Sequence, residues 1–352
     1  MTAARRTPTS TPSSQPDTMP AWSRETYGPA DGVRLAQLPI PVPRRGEVVL
    51  RVEATSLNAG DVRLLLGDPL LVRPVFGLTR PKNPVRGMEV TGIVVELGPE
   101  AIGVELGSRM VGELVGGGGL APHVAVPASR LVAVPPDVAS DIAATLPVAG
   151  GTAWQALDLA GVGIRTAGGT PDDGTGRVLV IGASGGVGTF AVQLAALRGA
   201  EVWATCGERN SRLVEHLGAV RTLDHRRTPL ATLPEGHFDA VIDIAGGLEL
   251  AALQRLVAPG GTVVLAAGNG GHVLGPMPRI LAAGFRSIGS RRRIRPLLAT
   301  PRAEVLATLL DLVAEGRVTP VIEREYAFDD ARDALRHVEA GHTVGKVVVR
   351  GA

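Results

Sequence analysis

The sequence predicts an α/β protein: a compact β-barrel-like part, followed by a doubly wound parallel sheet. Three observations predict this. Short strand-like runs between glycines fill the first third of the chain. Strand-like runs alternate with helical patterns after Pro147. The segment RVLVIGASGGVGTFAVQLAALRGAEVWATC joins a buried strand, a glycine-rich turn, a helix and a second strand.

Taken in order, residues 1–18 are rich in Thr, Ser and Pro and carry Arg5 and Arg6 but no apolar run, so they do not fit a secretory signal. They read as a tail, with Met19 opening the folded part; the scarcity of acidic residues also fits a transit peptide. EVVLRVEATSL, at 47–57, alternates in a β-rich pattern, and Val-rich runs at 90–95 and 123–134 are further strands. In the second part, strands are expected at 177–181, 201–205, 220–223, 239–243 and 262–266. Helices fit 186–197, 211–217 and 248–257, and a later one at 302–315 ends before Gly316, a C-cap residue. A last strand, 346–350, fits either sheet on periodicity alone. No internal repeat is visible.

The 352 residues suffice for two domains, and 45% apolar with 20% charged residues is ordinary for a globular chain. A net charge of +2, with Lys82 and Lys346 the only lysines, gives no basic footprint for nucleic acid. Cys206 is the only cysteine, which rules out an internal disulfide and any cysteine-rich zinc site and agrees with a cytoplasmic setting. No apolar run is long enough to span a membrane.

The glycine-rich turn carries the chemistry. Ala183, Gly185 and Gly188 hold the dinucleotide-fingerprint spacing, with alanine in the first place. Small residues let the helix N-terminus approach a pyrophosphate, with Ser184, Gly185, Gly186 and Val187 closest to it. At the end of the second strand an NAD site places Asp or Glu; here Thr205, Cys206 and Gly207 precede Glu208 and Arg209. Arg209 suits the 2′-phosphate of NADPH, Glu208 opposes it unless turned to solvent, and a plain loop charge is the other reading of Arg209.

From about Met19 onward the chain resembles the medium-chain dehydrogenase/reductase superfamily, in its zinc-free quinone oxidoreductase-like branch. The resemblance rests on EVVLRVEATSLNAGDVRLLLGD, RPKNPVRGMEVTGIVVELG, LPVAGGTAWQAL, VIGASGGVGTFAVQLA, FDAVIDIAGG, APGGTVVLAAG and GHTVGKVVV, in order and over most of the chain. It implies a GroES-like catalytic domain, residues 19–146 and 320–352, interrupted by a Rossmann domain at 147–319, with the active site in the cleft between them.

Zinc-dependent relatives carry a Cys three residues before an Asp, and a Gly-His-Glu further on. This chain has Asn58 before Asp61, and Gly87, Met88 and Glu89. An amide and a thioether are poor zinc ligands, so no catalytic metal is expected. Without a Lewis acid, the easier reaction is hydride addition to a C=C already activated by a carbonyl. Asn58 is then the candidate donor to the developing enolate oxygen, its other reading being an amide that satisfies buried backbone. Asp61 joins it in the catalytic stretch, with a structural acceptor role as its alternative.

By position, the resemblance adds Thr152, His225, Gly246, Gly268, Asn269 and Lys346 as cofactor contacts, His225 and Lys346 being equally readable as surface residues. The family's frequent tyrosine after the Asn-x-x-Asp stretch is missing, which puts a tyrosine proton donor in doubt. His123 is a general acid if it faces the cleft and a structural residue otherwise, and Arg291, Arg292, Arg293 and Arg295 read as a solvated loop or as an anchor for an acidic group. The apolar stretch from Leu64 to Phe76 suits a hydrophobic small-molecule substrate, and family members commonly form homodimers. The expected activity is NADPH-dependent reduction of an enone, quinone or enoyl thioester. A tailoring reaction on the same fold and a nucleotide-binding sensor are the alternatives.

Overall fold

The computed structural model describes residues 17–163, 176–266 and 270–352. Its first strands, β1 (Thr18–Ser23) and β2 (Arg34–Pro39), form an antiparallel ladder. Pairing thus starts at Thr18, one residue before the expected opening at Met19.

The first large sheet is built around β3 (Glu47–Leu57), the alternating segment of the sequence. On one side β3 pairs antiparallel with β4 (Glu89–Leu97), which continues to β5 (Arg109–Glu113). β6 (His123–Pro127) also pairs with β3, and β7 (Leu131–Ala133) pairs with β5. Val48, Leu50 and Val52 of β3 are buried against Val90, Val94 and Met110. These are alternate residues, as a half-buried strand requires.

The second sheet comprises β8 (Arg177–Ile181), β9 (Glu201–Cys206), β10 (Arg221–Asp224), β11 (Phe238–Asp243), β12 (Val257–Leu265) and β13 (Arg293–Pro296). Every ladder is parallel, and the order is β10-β9-β8-β11-β12-β13. This is the doubly wound order, whose switch point lies between β8 and β11. Both faces are covered: Val178 and Val180 pack with Phe190 and Leu194 of the helix Gly186–Leu197, while Leu179 and Ile181 pack with Leu253 and Leu256 of the helix Leu250–Leu256.

One expectation is corrected. The basic run is not a solvated loop throughout, because Arg293 to Pro296 form the edge strand β13, with Ile294 buried against the sheet. The arginines mask the signal: they alternate with one apolar residue on an edge whose outer side meets water.

The chain then returns. β14 (Ile322–Tyr326) runs parallel to β15 (Lys346–Arg350), and β15 pairs antiparallel with β3. The ambiguous last strand therefore belongs to the first sheet. Its start crosses the phosphate turn, where the Gly345 amide donates to the Ser184 carbonyl at 2.8 Å.

Candidate active site

The turn after β8 is shaped by contact distances. Gly182 takes φ +87°, and Gly185 caps the helix Gly186–Leu197. A Cβ on Gly188 would lie 2.2 Å from the Gly182 carbonyl oxygen, so only glycine lets helix and strand approach this closely. The first turn of that helix leaves amides with no intrahelical acceptor, a built anion cradle. Ser184, Gly185, Gly186 and Val187 stand here together, as expected.

Beside the cradle runs a groove of about 440 Å³, lined among others by Gly182, Ser184, Thr205, Cys206, His225 and Gly246. These residues lie at or just beyond the carboxyl ends of β8, β9, β10 and β11, the edge where such sheets hold ligands. Gly246 is fixed by its amide donating to Asp243 at 2.9 Å, and Asp243 also pairs with Arg279 at 3.1 Å. Burial raises the pKa of Asp243, against the opposing effect of these partners. The shape and chemistry fit an adenosine and its phosphates. Arg209 is exposed just beyond the end of β9 and is not part of the groove wall. Glu208 is paired with Arg227 at 3.1 Å, so its charge is partly offset. Thr152 is half-buried in the first turn of the helix Gly151–Ala160. Gly268 and Asn269 lie outside the described residues.

On the other side of the turn lies a buried polar cluster. Lys346 Nζ donates to Glu89 Oε1 and to Asn58 Oδ1, both at 2.5 Å, and Asn58 Nδ2 donates to Glu89 Oε1 at 2.9 Å. Glu89 Oε2 accepts the Val148 amide at 2.8 Å. The side chains of Lys346 and Glu89 are 2% and 0% exposed, so the exposed-lysine reading of Lys346 is overturned. Lys346 also touches the phosphate turn: a Cβ on Gly186 would come 3.1 Å from its Cδ.

Asp61 lies behind this cluster. Its two oxygens accept the amides of Asn58 at 2.9 Å and Gly87 at 2.8 Å, closing a capping box on the helix Ala59–Leu66. Burial pushes its carboxyl up to about 6, the two amides and Arg86 countering only in part. His123 sits across from Arg51 in the β3–β6 ladder, with Nδ1 buried and without a hydrogen-bond partner among the described residues, and burial lowers its pKa.

Glu89, the centre of the cluster, was not singled out as a site residue from the sequence. The available signal was an acid opening a mostly apolar strand, matched by a lysine opening another. A zinc ion does not fit this cluster. Asn58 Oδ1 and Glu89 Oε1 already face an ammonium, and Met88, the residue before Glu89, offers only a thioether, a poor ligand. Among the described residues no three His, Cys, Asp or Glu side chains converge as metal ligands.

Known proteins are similar to this chain in sequence and fold. Residues 44–136 match the alcohol dehydrogenase GroES-like domain, and residues 217–349 match the zinc-binding dehydrogenase model. The chain is 37% identical over 340 residues to a chloroplast envelope quinone oxidoreductase homologue of Arabidopsis thaliana, covering 94% of this chain and 98% of that one. It is 30% identical to a 2-methylene-furan-3-one reductase of Solanum lycopersicum, over 97% of this chain and 81% of that one. The solved quinone oxidoreductase of Coxiella burnetii superposes with a TM-score of 0.80 at 26% identity, covering 95% of this chain and 99% of that one.

Proposed function

Since this chain belongs to the quinone oxidoreductase-like branch of the medium-chain dehydrogenase/reductase superfamily, and is an oxidoreductase served by a nicotinamide cofactor, we propose that it reduces an activated C=C with NADPH and without zinc. The substrate is an enone, a quinone or an enoyl thioester. The observation that carries this reading is the ammonium of Lys346, held by Asn58 and Glu89 beside the phosphate turn, with Asn58 standing where the resemblance puts a zinc-ligating Cys.

A bound NADPH supplies the hydride. The chain's own residues do the rest. Lys346 fixes the amide of Asn58, since it holds Oδ1 while Glu89 takes one N–H. The second N–H of Asn58 is then free to donate to the substrate oxygen as charge develops on it. Asp61 is a positioning residue, tying the Asn58 backbone to the loop before β4. The first-turn amides near Gly185, Gly186 and Val187 hold the pyrophosphate, Thr152 lies towards the nicotinamide half, and His225 and Gly246 border the adenosine. Arg209 binds the 2′-phosphate, a role that the Arg227–Glu208 pair makes easier.

The domain division is 19–146 with 320–352 against 147–319. A cytoplasmic location and a homodimer complete this reading; no helix among the described residues is long and apolar enough to cross a membrane.

Steady-state oxidation of NADPH against a panel of enones and quinones tests the proposal. Turnover with at least one acceptor is expected, and dinucleotide binding without turnover would refute it. Arg209→Ala should raise KM for NADPH about tenfold or more and leave NADH unchanged, the worth of one charge-assisted hydrogen bond.

A further inference from the structure

Away from the dinucleotide groove, a second cavity of about 230 Å³ lies in the catalytic half. Its apolar wall includes Leu64, Val75, Phe76 and Val115, and its cations are Lys82 and Arg86. No Asp or Glu lines it. Arg86 is only 4% exposed, yet among the described residues it has no carboxylate within ion-pair distance. Its guanidinium donates to the Asn83 carbonyl, one acceptor for a group with five N–H donors. The Asn83 side chain gives no further relief, because it donates to the Gly117 carbonyl and accepts the Val85 amide. Asp61, the acid that acts on Arg86 electrostatically, already accepts two backbone amides.

A guanidinium this buried, on which Asp61 acts only from beyond ion-pair distance, is costly, and an anion entering from the cavity would relieve that cost. Lys82, exposed at the rim, adds attraction on the way in. Four apolar side chains opposite the two cations select against a bare, fully hydrated anion. They favour an anion attached to an apolar body.

We propose that this cavity binds the carboxylate of a small, otherwise apolar acid, and that it is the tail subsite of the substrate. The second half rests on the reductase reading. Leu64 lies six residues beyond Asn58 along one helix, about 9 Å in rise. A carboxylate held by Arg86 would therefore belong to an enone or quinone carrying its acid on a short apolar arm.

Calorimetry on the full chain with 4-phenylbutanoate and with 4-phenylbutanamide tests the pocket without any turnover. The acid should bind at least tenfold more tightly than the amide. That preference should vanish in Arg86→Gln and shrink in Lys82→Gln, and Val115→Trp should abolish binding of both by filling the cavity. Should Arg86→Gln fail to fold, the two exposed-site variants decide alone. Equal binding of acid and amide, or acid binding unaffected by Val115→Trp and Lys82→Gln, would overturn the proposal. The substrate half is read from KM for 4-oxo-4-phenylbut-2-enoate, expected to rise at least tenfold in Arg86→Gln or Val115→Trp relative to its methyl ester. A chain that binds 4-phenylbutanoate through Arg86 but reduces neither enone contradicts the reductase reading and leaves the anion pocket standing.

Discussion

Glu89 has no exposed side-chain surface and accepts three hydrogen bonds, from Asn58, Lys346 and the Val148 amide. Removing its partner would leave a buried charge uncompensated. Lys346→Met should therefore cost about 3–5 kcal/mol in urea unfolding, far above the cost of deleting a surface lysine. Asp61 gives a second prediction, with a definite sign. Its folded pKa of about 6 lies above the unfolded value of 3.8, so the folded chain holds this proton more tightly. Its contribution to stability is full below about pH 4 and is lost as pH rises through about 6. Asp61→Asn should remove that loss. The stability difference between native protein and variant, followed by denaturant titration from pH 4 to 7, should change across this window; a flat difference would contradict it. Residues of this kind were only partly legible in the sequence. Asn58, Asp61 and Lys346 stand out only through the family resemblance, and since Glu89 and Lys346 are 257 positions apart, nothing local says that they meet.

The turn between β8 and its helix was the most legible element, because local rules fix all its parts. The strand at 177–181 and the helix at 186–197 appear with the expected bounds. The glycines there are not equivalent. Gly188→Ala should destabilise by about 1–3 kcal/mol and abolish dinucleotide binding, since its Cβ would meet backbone atoms at 2.2 and 2.7 Å. Gly186→Ala meets Lys346 Cδ at 3.1 Å and the Gly345 carbonyl oxygen at 3.3 Å, tight contacts but without the backbone overlap at Gly188, and should be milder in both respects. Fluorescence titration with NADPH checks the pair. Other elements were hidden. The helix Ala331–Glu339 buries Ala331, Ala334, Leu335 and Val338 at helical spacing, but two of these are alanines set among charges. Its burial against Met19 and Trp22 is a tertiary fact. The edge strand β13 was masked by its arginines in the same way.

At the scale of the molecule, the chain closes on itself twice. β15 returns to β3 and brings Lys346 under the phosphate turn, which makes one cluster serve both halves. A second closure joins the segment 270–275 to the loop after the first helix. The amides of Leu70 and Leu71 donate to the His272 and Val273 carbonyls at 2.8 and 3.1 Å, and His272 meets Asp68 at 2.8 Å. The side-chain pair is exposed and the backbone bonds persist without it, so Asp68→Asn should change stability by no more than about 1 kcal/mol in thermal unfolding. The two sheets could be foreseen from periodicity, but the return of the last strand could be foreseen only through the family resemblance, since period 2 does not say which sheet a strand joins. The reaction proposed for this chain is a metal-independent transfer from a nicotinamide to a carbon made electrophilic by its own carbonyl. The most direct test uses chelator-dialysed protein, NADPH deuterated at the transferring position of nicotinamide C4, and mass spectrometry of a reduced enone. One deuterium on the carbon β to the carbonyl is predicted. Product without deuterium, or product formed only after zinc is restored, would contradict the account.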